Sequence, residues 1–248
     1  MPKFFIVWTL VFFGAPVHSQ TVDDIIAKYV AAIGGKEKLQ TLSSIYMEGV
    51  SVGPNGMEIT SRTYKVKGKL YRQEVDFGMG KLVNLVTDQG GWFMSPRSSG
   101  SFEAMPAERW KAQQHEMDCT LPLVDYASKG YKAELLGTES LNGAMDYVIQ
   151  LTPASGSPIK YYIDPASGWV VRVITRGRMV MGGGPGGGRE GGEVDIQTDY
   201  SDYQQTPEGL WFPLSITRPG MGGRSLTTTI EKIMINTTID PKLFKPEN

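Results

Sequence analysis

Apolar residues near the start of the chain recur at spacings of three and four positions. This period predicts an amphipathic helix with one apolar stripe, formed by Ile25, Ile26, Tyr29, Val30 and Ile33. Thr21 can cap the helix, with Asp24 as its reciprocal capping-box partner, and Gly34 can end it. One face of this helix therefore needs an apolar partner in the fold.

From Ser43 onward the pattern changes to alternation of apolar and polar residues, which is typical of half-buried β-strands. In the segment KLYRQEVDF, Tyr71 and Val75 fall on one side, whereas Arg72 and Glu74 fall on the other. Such alternation predicts an antiparallel sheet with one face exposed to solvent. Turn sequences rich in glycine and proline separate about 11 or 12 such segments, as expected of an all-β sheet or barrel.

Residues 104–130 interrupt the β pattern. Pro106 suits the first position of a helix through PAERWKAQQHEM, and TLPLVDYASKG predicts a second short helix closed by Gly130. The predicted fold is therefore mainly β. It is a single strongly curved antiparallel sheet, an unclosed β-barrel of about 11 to 12 strands, whose concave face is covered by the N-terminal helix and a mid-chain helical hairpin. Residues 20–248 form one predicted domain, because no linker-like composition divides them.

The first residues have the three-part layout of a secretory signal peptide. Lys3 is followed by an apolar run over residues 4–13, and small residues precede a cleavage point near Ser19 and Gln20. A membrane anchor would need about 18 continuous apolar residues, whereas glycine and proline interrupt this run. We therefore expect residues 1–19 to be a signal peptide, with no integral membrane segment left after cleavage.

Charge and cysteine content narrow the class of protein. The chain has 25 basic and 26 acidic residues, a formal net charge of −1. Nucleic acid and anionic membrane surfaces are poor partners for it, because both require concentrated positive charge. Cys119 is the single cysteine, so no intrachain disulfide can form and the core must hold the fold. No residue pattern indicates a cofactor.

A glycine-rich run, MGGGPGGGREGG, has three interpretations: a phosphate-binding loop, a linker or the tip of a hairpin. Gly182, Gly184 and Gly187 satisfy the G-x-G-x-x-G pattern of dinucleotide-binding loops. Such a loop must open a helix, because the free N–H groups of a helix N-terminus hold the pyrophosphate. Here the alternating segment EVDIQTDYSDY follows, which predicts a strand, and no G-K-[ST] sequence is present. Nucleotide binding is therefore disfavoured.

The hairpin interpretation makes a prediction about pairing. Residues 169–181 and 192–203 should be antiparallel neighbours, with residues 182–192 as a flexible tip. Such a hairpin would bring basic residues of one strand near acidic residues of the other: Arg176 and Arg178 near Asp195 and Asp199.

Polar residues that could support catalysis or bind a metal are sparse. His115 lies four positions before Cys119, but two ligands do not complete a zinc site. A surface histidine beside a buried thiol explains this pair. Four carboxylates near residue 200 depart from the calcium-loop spacing and fit a solvated strand face: Glu193, Asp195, Asp199 and Asp202. We predict no catalytic residue and no metal ligand, and therefore no enzyme.

Aromatic and aliphatic residues concentrate around the predicted helical hairpin. Each of them can be ordinary core, since aromatic side chains dominate protein cores. A curved sheet with helices over its concave side can alternatively enclose a ligand cavity. On that second interpretation the hydrophobic-ligand-binding candidates are Trp92, Phe93, Trp110, Leu121, Leu123 and Tyr126.

Four stretches of sequence resemble the outer-membrane lipoprotein-sorting family, the LolA/LolB-like exported proteins of Gram-negative bacteria. These are IIAKYVAAIGGKEKLQTLSSIYMEG, YYIDPASGWVVR, DYQQTPEGLWFPLSI and INTTIDPKLFKP. The resemblance implies an unclosed antiparallel barrel with helices as a lid over an apolar cavity, and a periplasmic location. In that family the cavity carries the acyl chains of lipoproteins.

Two functions are consistent with these expectations. The first is a periplasmic, non-enzymatic carrier or binding protein for lipid or lipoprotein acyl chains or another hydrophobic ligand, with an envelope protein as a further partner. The alternative is an interaction or structural module of the cell envelope with a packed interior and no small-molecule ligand.

Overall fold

A computed structural model describes residues 20–53, 56–98, 100–153, 157–180, 190–220 and 224–247. Within these residues the strands form one antiparallel sheet of 13 strands. Its helices are α1 (Val22–Ala32), α2 (Lys36–Gln40) and α3 (Ala107–Gln113). The strands of the first half are β1 (Ser44–Val52), β2 (Glu58–Val66), β3 (Leu70–Asp76), β4 (Lys81–Thr87), β5 (Gly91–Met94) and β6 (Glu103–Ala104). Those of the second half are β7 (Lys132–Leu141), β8 (Ala144–Thr152), β9 (Ile159–Ile163), β10 (Val170–Val180), β11 (Glu190–Gln205), β12 (Trp211–Pro219) and β13 (Ser225–Ile235).

The sheet has the order β6-β5-β4-β3-β2-β1-β13-β12-β11-β10-β9-β8-β7. Each half is a meander of neighbouring hairpins, and the halves join where β1 pairs with β13. The two ends of the order, β6 and β7, are not paired with each other, so the barrel is unclosed. The predicted fold class is confirmed. The strand beyond the predicted 12 is β6, whose two residues are too short to show alternation.

Helix α1 begins and packs as its sequence predicts. The Thr21 hydroxyl accepts a hydrogen bond from the backbone N–H of Asp24 at 3.2 Å, and the Thr21 N–H donates to the Asp24 carboxylate at 3.0 Å. This reciprocal pair is the predicted capping box. The stripe residues Ile25, Ile26, Tyr29 and Ile33 are all buried. Burial of the stripe fixes α1 on one face of the sheet, which we call the helix-bearing face.

The sheet curls around α1. The α1 core, which consists of the buried residues about this helix and the partly buried residues packed against them, includes side chains from eight strands: Ile45, Ala133, Ile149, Tyr161, Val170, Tyr200, Phe212 and Ile235. Eight flat strands would span roughly 34 Å, whereas α1, with 11 residues, is about 16 Å long and about 10 Å wide. Only a strongly curved sheet can bring all eight strands to one helix.

The mid-chain segment differs from the predicted helical hairpin. Helix α3 passes into a 3₁₀ turn over Gln114–Met117, and residues 122–130 form successive turns rather than a helix. Asp125 has a left-handed backbone (φ 51°), which an α-helix does not accommodate. The prediction of a second helix at TLPLVDYASKG was therefore wrong, although the segment does lie on the helix-bearing face.

The outer face of β3 is buried, against the prediction that Arg72 and Glu74 face solvent. Arg72 is 3% exposed. Its Nε donates to Glu74 Oε1 at 2.6 Å, and its Nη1 donates to the carbonyl oxygen of Leu243 at 3.3 Å. The C-terminal segment, with a 3₁₀ turn over Pro241–Phe244, therefore crosses the outer face and covers this ion pair. A local alternation pattern carries no information about so distant a segment.

The hairpin predicted on either side of the glycine-rich run is confirmed. Strands β10 and β11 are antiparallel neighbours, with Arg172 opposite Asp199 and Arg176 opposite Asp195. The Arg176 and Asp195 side chains approach to 3.6 Å. Asp199 pairs with Arg172 through two hydrogen bonds, of 2.5 and 3.0 Å, and not with Arg176. The tip itself, at residues 182–189, lies outside the described residues.

Candidate ligand groove and the helix-bearing face

A groove of about 700 Å³ runs between α1 and residues 121–130, which we call the lid segment. Its volume is in the range of roughly 300 to 1,000 Å³ that small-molecule sites occupy. Most of its lining is apolar. The lining residues are Asp23, Ile26, Ala27, Val30, Ala31, Gly35, Lys36, Glu37, Leu123, Val124, Asp125, Tyr126, Ala127 and Ser128.

The sequence of α1 explains why space remains beside it. Its sheet-facing stripe carries large side chains, whereas Ala27 and Ala31, one turn apart on the exposed side, are small. The lid segment contributes Ala127 opposite them. Two neighbouring elements with small facing residues leave a furrow instead of closing on each other.

The lid segment is anchored in the core by two residues. Leu123 is 0% exposed and Val124 is 1% exposed, and both belong to the α1 core. Burying one such side chain contributes about 1.5 to 3 kcal/mol relative to leaving it in water. The base of the lid segment is therefore held by apolar packing.

The rim of the lid segment is held by polar contacts. The Tyr126 hydroxyl donates to Asp23 Oδ1 on α1 at 2.6 Å. Lys36 Nζ lies 2.5 Å from Asp125 Oδ1, and Gln40 Nε2 donates to Asp125 Oδ2 at 2.8 Å. These contacts fasten the lid segment to both α1 and α2. Because they lie at the surface, each contributes little on its own.

These contacts shift the pKa values of two residues at the rim, Asp125 and Tyr126. The hydrogen bond and charge of Lys36, together with Gln40, hold the pKa of Asp125 below its usual value. The hydrogen bond to Asp23 raises the pKa of Tyr126. At neutral pH the Asp125 carboxylate is therefore ionised and Tyr126 carries the proton that it donates.

The structure does not bring the six predicted ligand residues together. Leu123 and Tyr126 line the groove. Leu121 belongs to the lid segment and is 38% exposed. Whether any of them binds a ligand stays a prediction.

The other predicted ligand residues lie at the first half of the sheet. Phe93 and Trp110 pack on the helix-bearing face against Tyr71, Val86, Met105 and Met117. Trp110 Nε1 donates to the carbonyl oxygen of Thr87 at 2.9 Å, which ties α3 to the end of β4. Trp92 alternates with Phe93 along β5 and so lies on the outer face.

His115 and Cys119 have separate environments. His115 follows the end of α3, and its Nδ1 lies 2.7 Å from the carbonyl oxygen of Ala112. Cys119 is 3% exposed, and burial raises the pKa of its thiol to about 11. A thiol with this pKa is a poor nucleophile at neutral pH. Across the described parts of the chain, no three His, Cys, Asp or Glu side chains are grouped as metal ligands.

A second feature of the helix-bearing face lies towards the β1–β2, β3–β4 and β12–β13 turns. The strand registers place six apolar side chains there, which we call the apolar strip: Ile59, Val75, Leu82, Ile196, Ile216 and Leu226. Ile59 is buried, Leu82 is 40% exposed, and the others are half-buried. Alternation along the strands could have identified these residues, but only the register shows that they share one face.

Polar and charged side chains border the apolar strip. Lys65 Nζ lies 3.6 Å from Glu116 Oε2 and 5.3 Å from the centre of the Tyr71 ring. Arg218, on β12, lies on the same face as Tyr200 of β11, and its charge partly offsets the rise that burial causes in the pKa of Tyr200. Of these five residues, only Tyr71 was assigned to a strand face from the sequence; Lys65, Glu116, Tyr200 and Arg218 were not.

A smaller pocket of about 470 Å³ lies on the outer face. Arg72, Glu74 and Lys81 line it beside Phe102 and Leu243. Two of its charged residues are paired, Arg72 with Glu74 and Lys81 with Asp76 at 3.8 Å, and Glu247 also lines the pocket. This pocket is therefore part of the contact between the sheet and the C-terminal segment.

The fold defines a class of protein, an unclosed antiparallel barrel with a helical cover. It is similar to a Vibrio parahaemolyticus domain named for outer membrane lipoprotein sorting, with 13% identity over 89% of this chain and 94% of that one (TM-score 0.52). A LolA superfamily protein from Nitrosomonas europaea has 12% identity over 92% and 98% (TM-score 0.54). A DUF1329 family protein from Desulfovibrio piger has 15% identity over the same shares (TM-score 0.54).

These likenesses show that the chain has the LolA-like fold, as the sequence resemblance implies. At such low identities they show the fold alone. No protein-family model matches the sequence, and no curated protein matches it. In the described part of the chain, no helix has both the length and the apolar character needed to span a membrane.

Proposed function

We propose that this protein is an exported, non-enzymatic carrier that shelters the acyl chain of a lipid or lipoprotein in the periplasm. The observation that carries the proposal is the apolar groove of about 700 Å³ beside a lid segment whose rim is held by polar contacts. The name of the Vibrio domain, which refers to lipoprotein sorting, supports the same class of cargo. Residues 1–19 serve in this proposal as the signal peptide.

The free energy needed to withdraw the lid segment from the α1 core is comparable to the free energy gained by burying an acyl chain. Withdrawing Leu123 and Val124 from the α1 core costs about 3 to 6 kcal/mol, at about 1.5 to 3 kcal/mol for each side chain. A chain that buries ten methylene groups gains about 8 kcal/mol. An acyl chain of ordinary length can therefore offset displacement of the lid segment, whereas a short one cannot. This comparison predicts selection by chain length.

In this proposal the cargo enters along the groove. The chain first occupies the furrow beside Ala27 and Ala31, and then replaces the contacts between the lid segment and α1. A receiving envelope protein would reverse the exchange by competing for the lid segment. Trp92, Phe93, Trp110 and Leu121 remain candidates for further contacts with the cargo.

Filling the groove tests the proposal. Ala31→Phe adds a ring at an exposed position of α1 that lines the groove, and the change costs only about 0.5 kcal/mol in helix propensity. Ala112→Phe is the matched control, because Ala112 is also exposed on a helix but does not line the groove. Uptake of a fluorescent long-chain fatty acid is measured for both variants, with native mass spectrometry of the gently purified protein.

The expected result is co-purified lipid on the original protein, and uptake that Ala31→Phe lowers at least tenfold and Ala112→Phe leaves unchanged. A homogeneous ligand-free species that takes up no fatty acid would overturn the proposal. Equal uptake by the two variants would exclude the groove as the binding site.

The packing of the α1 core favours a second candidate, an envelope interaction or structural module without a small-molecule ligand. Ile33, Leu123, Ile149, Leu151 and Ile163 are each at most 1% exposed, so side chains already fill the space between α1 and the sheet. This candidate predicts that Trp110→Ala destabilises the fold without any ligand-binding phenotype. The carrier predicts lower lipid uptake by that variant at a modest cost in stability.

A further inference from the structure

Arg218 lies on the helix-bearing face of the sheet. The register of β12 with β11 and β13 puts Ile216 beside Tyr200 and Thr228, and Arg218, two residues on, shares their face. Its side chain is exposed, and its charge influences the pKa of Tyr200 on the adjacent strand. An arginine on the inner side of a curved sheet, close to an apolar strip, is unusual because most charged residues face outward.

The charge of Arg218 influences two tyrosines of the helix-bearing face. Its charge acts on Tyr200, on the adjacent strand, and also on Tyr71 of β3, four strands away in the sheet order. Glu116, on the 3₁₀ turn above the sheet, acts on the same two tyrosines. The two tyrosines therefore mark one region that Arg218 and Glu116 both border.

The charges in this region do not cancel. Lys65 and Glu116 form an ion pair at 3.6 Å, so they neutralise each other. Arg218 has no ion-pair partner among the described residues, so its positive charge is uncompensated within them. Burial raises the pKa of Tyr200, so this hydroxyl keeps its proton and can donate it to an anion. The three charged groups together favour a ligand with a single negative charge.

We infer that Arg218 binds the monoanionic head group of an acyl-chain amphiphile whose chain lies along the apolar strip. A guanidinium offers paired N–H donors that match the two oxygens of a carboxylate. Leu226 lies directly opposite Arg218 on the next strand, and Ile216 lies two residues before Arg218. Apolar side chains are therefore direct neighbours of the cation. The chemistry fits a fatty carboxylate. This inference rests on the carrier proposal, because it names the class of amphiphile that is carried. It places the chain at the apolar strip, a location separate from the groove between α1 and the lid segment.

Three soluble amphiphiles with the same chain test the charge preference. Dodecanoate, dodecanol and dodecyltrimethylammonium are titrated against the full-length protein by calorimetry, the two ions below their critical micelle concentrations and dodecanol below its solubility limit. Arg218→Gln removes the charge, and Arg218→Lys keeps it without the fork of donors. Arg176→Gln is the matched control, because Arg176 lies on the outer face of the same sheet and is 62% exposed.

Dodecanoate should bind at least about tenfold more tightly than dodecanol, and both more tightly than the cation. Arg218→Gln should abolish the preference for dodecanoate and leave dodecanol binding unchanged. Arg218→Lys should restore part of the preference. The control, Arg176→Gln, should keep the full preference for dodecanoate. Equal affinity for dodecanoate and dodecanol would overturn the inference while leaving the carrier proposal intact. Equal losses in Arg218→Gln and Arg176→Gln would also overturn it, because they would indicate a general charge effect. Failure of all three probes to bind would refute both.

Discussion

Truncation of Leu123 gives the most direct measure of how firmly the lid segment is held. Leu123→Ala removes three carbon atoms from a side chain that is 0% exposed, which loses about 2.4 kcal/mol of transfer free energy at about 0.8 kcal/mol per group. The cavity that remains adds to this loss, so the expected destabilisation is about 3 kcal/mol. For a domain of this size the melting temperature should fall by about 6 to 12 °C.

Leu121 provides the matched control within the same segment. It is 38% exposed, so Leu121→Ala should cost about 1 kcal/mol or less. Urea unfolding followed by tryptophan fluorescence measures both variants, and hydrogen exchange of the backbone amides at residues 121–130 reports local opening. The reasoning would be refuted by equal losses in the two variants, since the lid segment would then not be anchored through Leu123.

Two further predictions concern titration. The pKa of Asp125 is lowered in the folded state, mainly by Lys36, so its contribution to stability is present above the unfolded carboxyl pKa of about 3.9 and is lost as the pH falls through the lower folded value. Protection of the lid segment from hydrogen exchange, taken relative to the intrinsic amide rate at each pH, should therefore decrease in acid. Asp125→Asn should show lower protection already at pH 7, and unchanged protection at neutral pH would contradict this. The Cys119 thiol, with its pKa raised to about 11, should react with a thiol reagent at pH 8 only after unfolding, which absorbance follows with and without denaturant. Equal rates under both conditions would show that the thiol is accessible.

Features governed by neighbouring residues could be predicted from the sequence. The capping box at Thr21 and Asp24 and the apolar stripe of α1 depend on residues within one or two turns. The pairing of β10 with β11 depends on two alternating segments joined by one short connection. In each case the physical cause lies within the segment itself.

Features governed by distant residues were missed or wrong. The charged pattern of Arg72 and Glu74 is that of a solvent-facing strand, and only the C-terminal segment, through Leu243, buries it. In the lid segment, core contacts of Leu123 and Val124 accompany a left-handed backbone at Asp125, which overrides a weak local preference for helix.

The sequence predicted the apolar character of the candidate site but not all of the residues that line it. The sequence favoured an apolar site under a mid-chain cover, and Leu123 and Tyr126 do line such a groove. The wall opposite them is formed by Ala27 and Ala31, which are too small and too common to attract notice in a sequence. Arg218 was missed for another reason, since its position beside Tyr200 depends on the register between two strands.

The pairing of β1 with β13 constrains how the chain can fold. Ile45 and Ile235 are direct partners in the middle of the sheet, so the seam between the two meanders is completed by nearly the last strand to be synthesised. Each meander can form early from local hairpins, but their junction must wait for a contact of very long sequence separation, which slows folding. During synthesis the chain would therefore present two half-sheets with open inner edges, and its vulnerability to aggregation and proteolysis should end only when β13 docks.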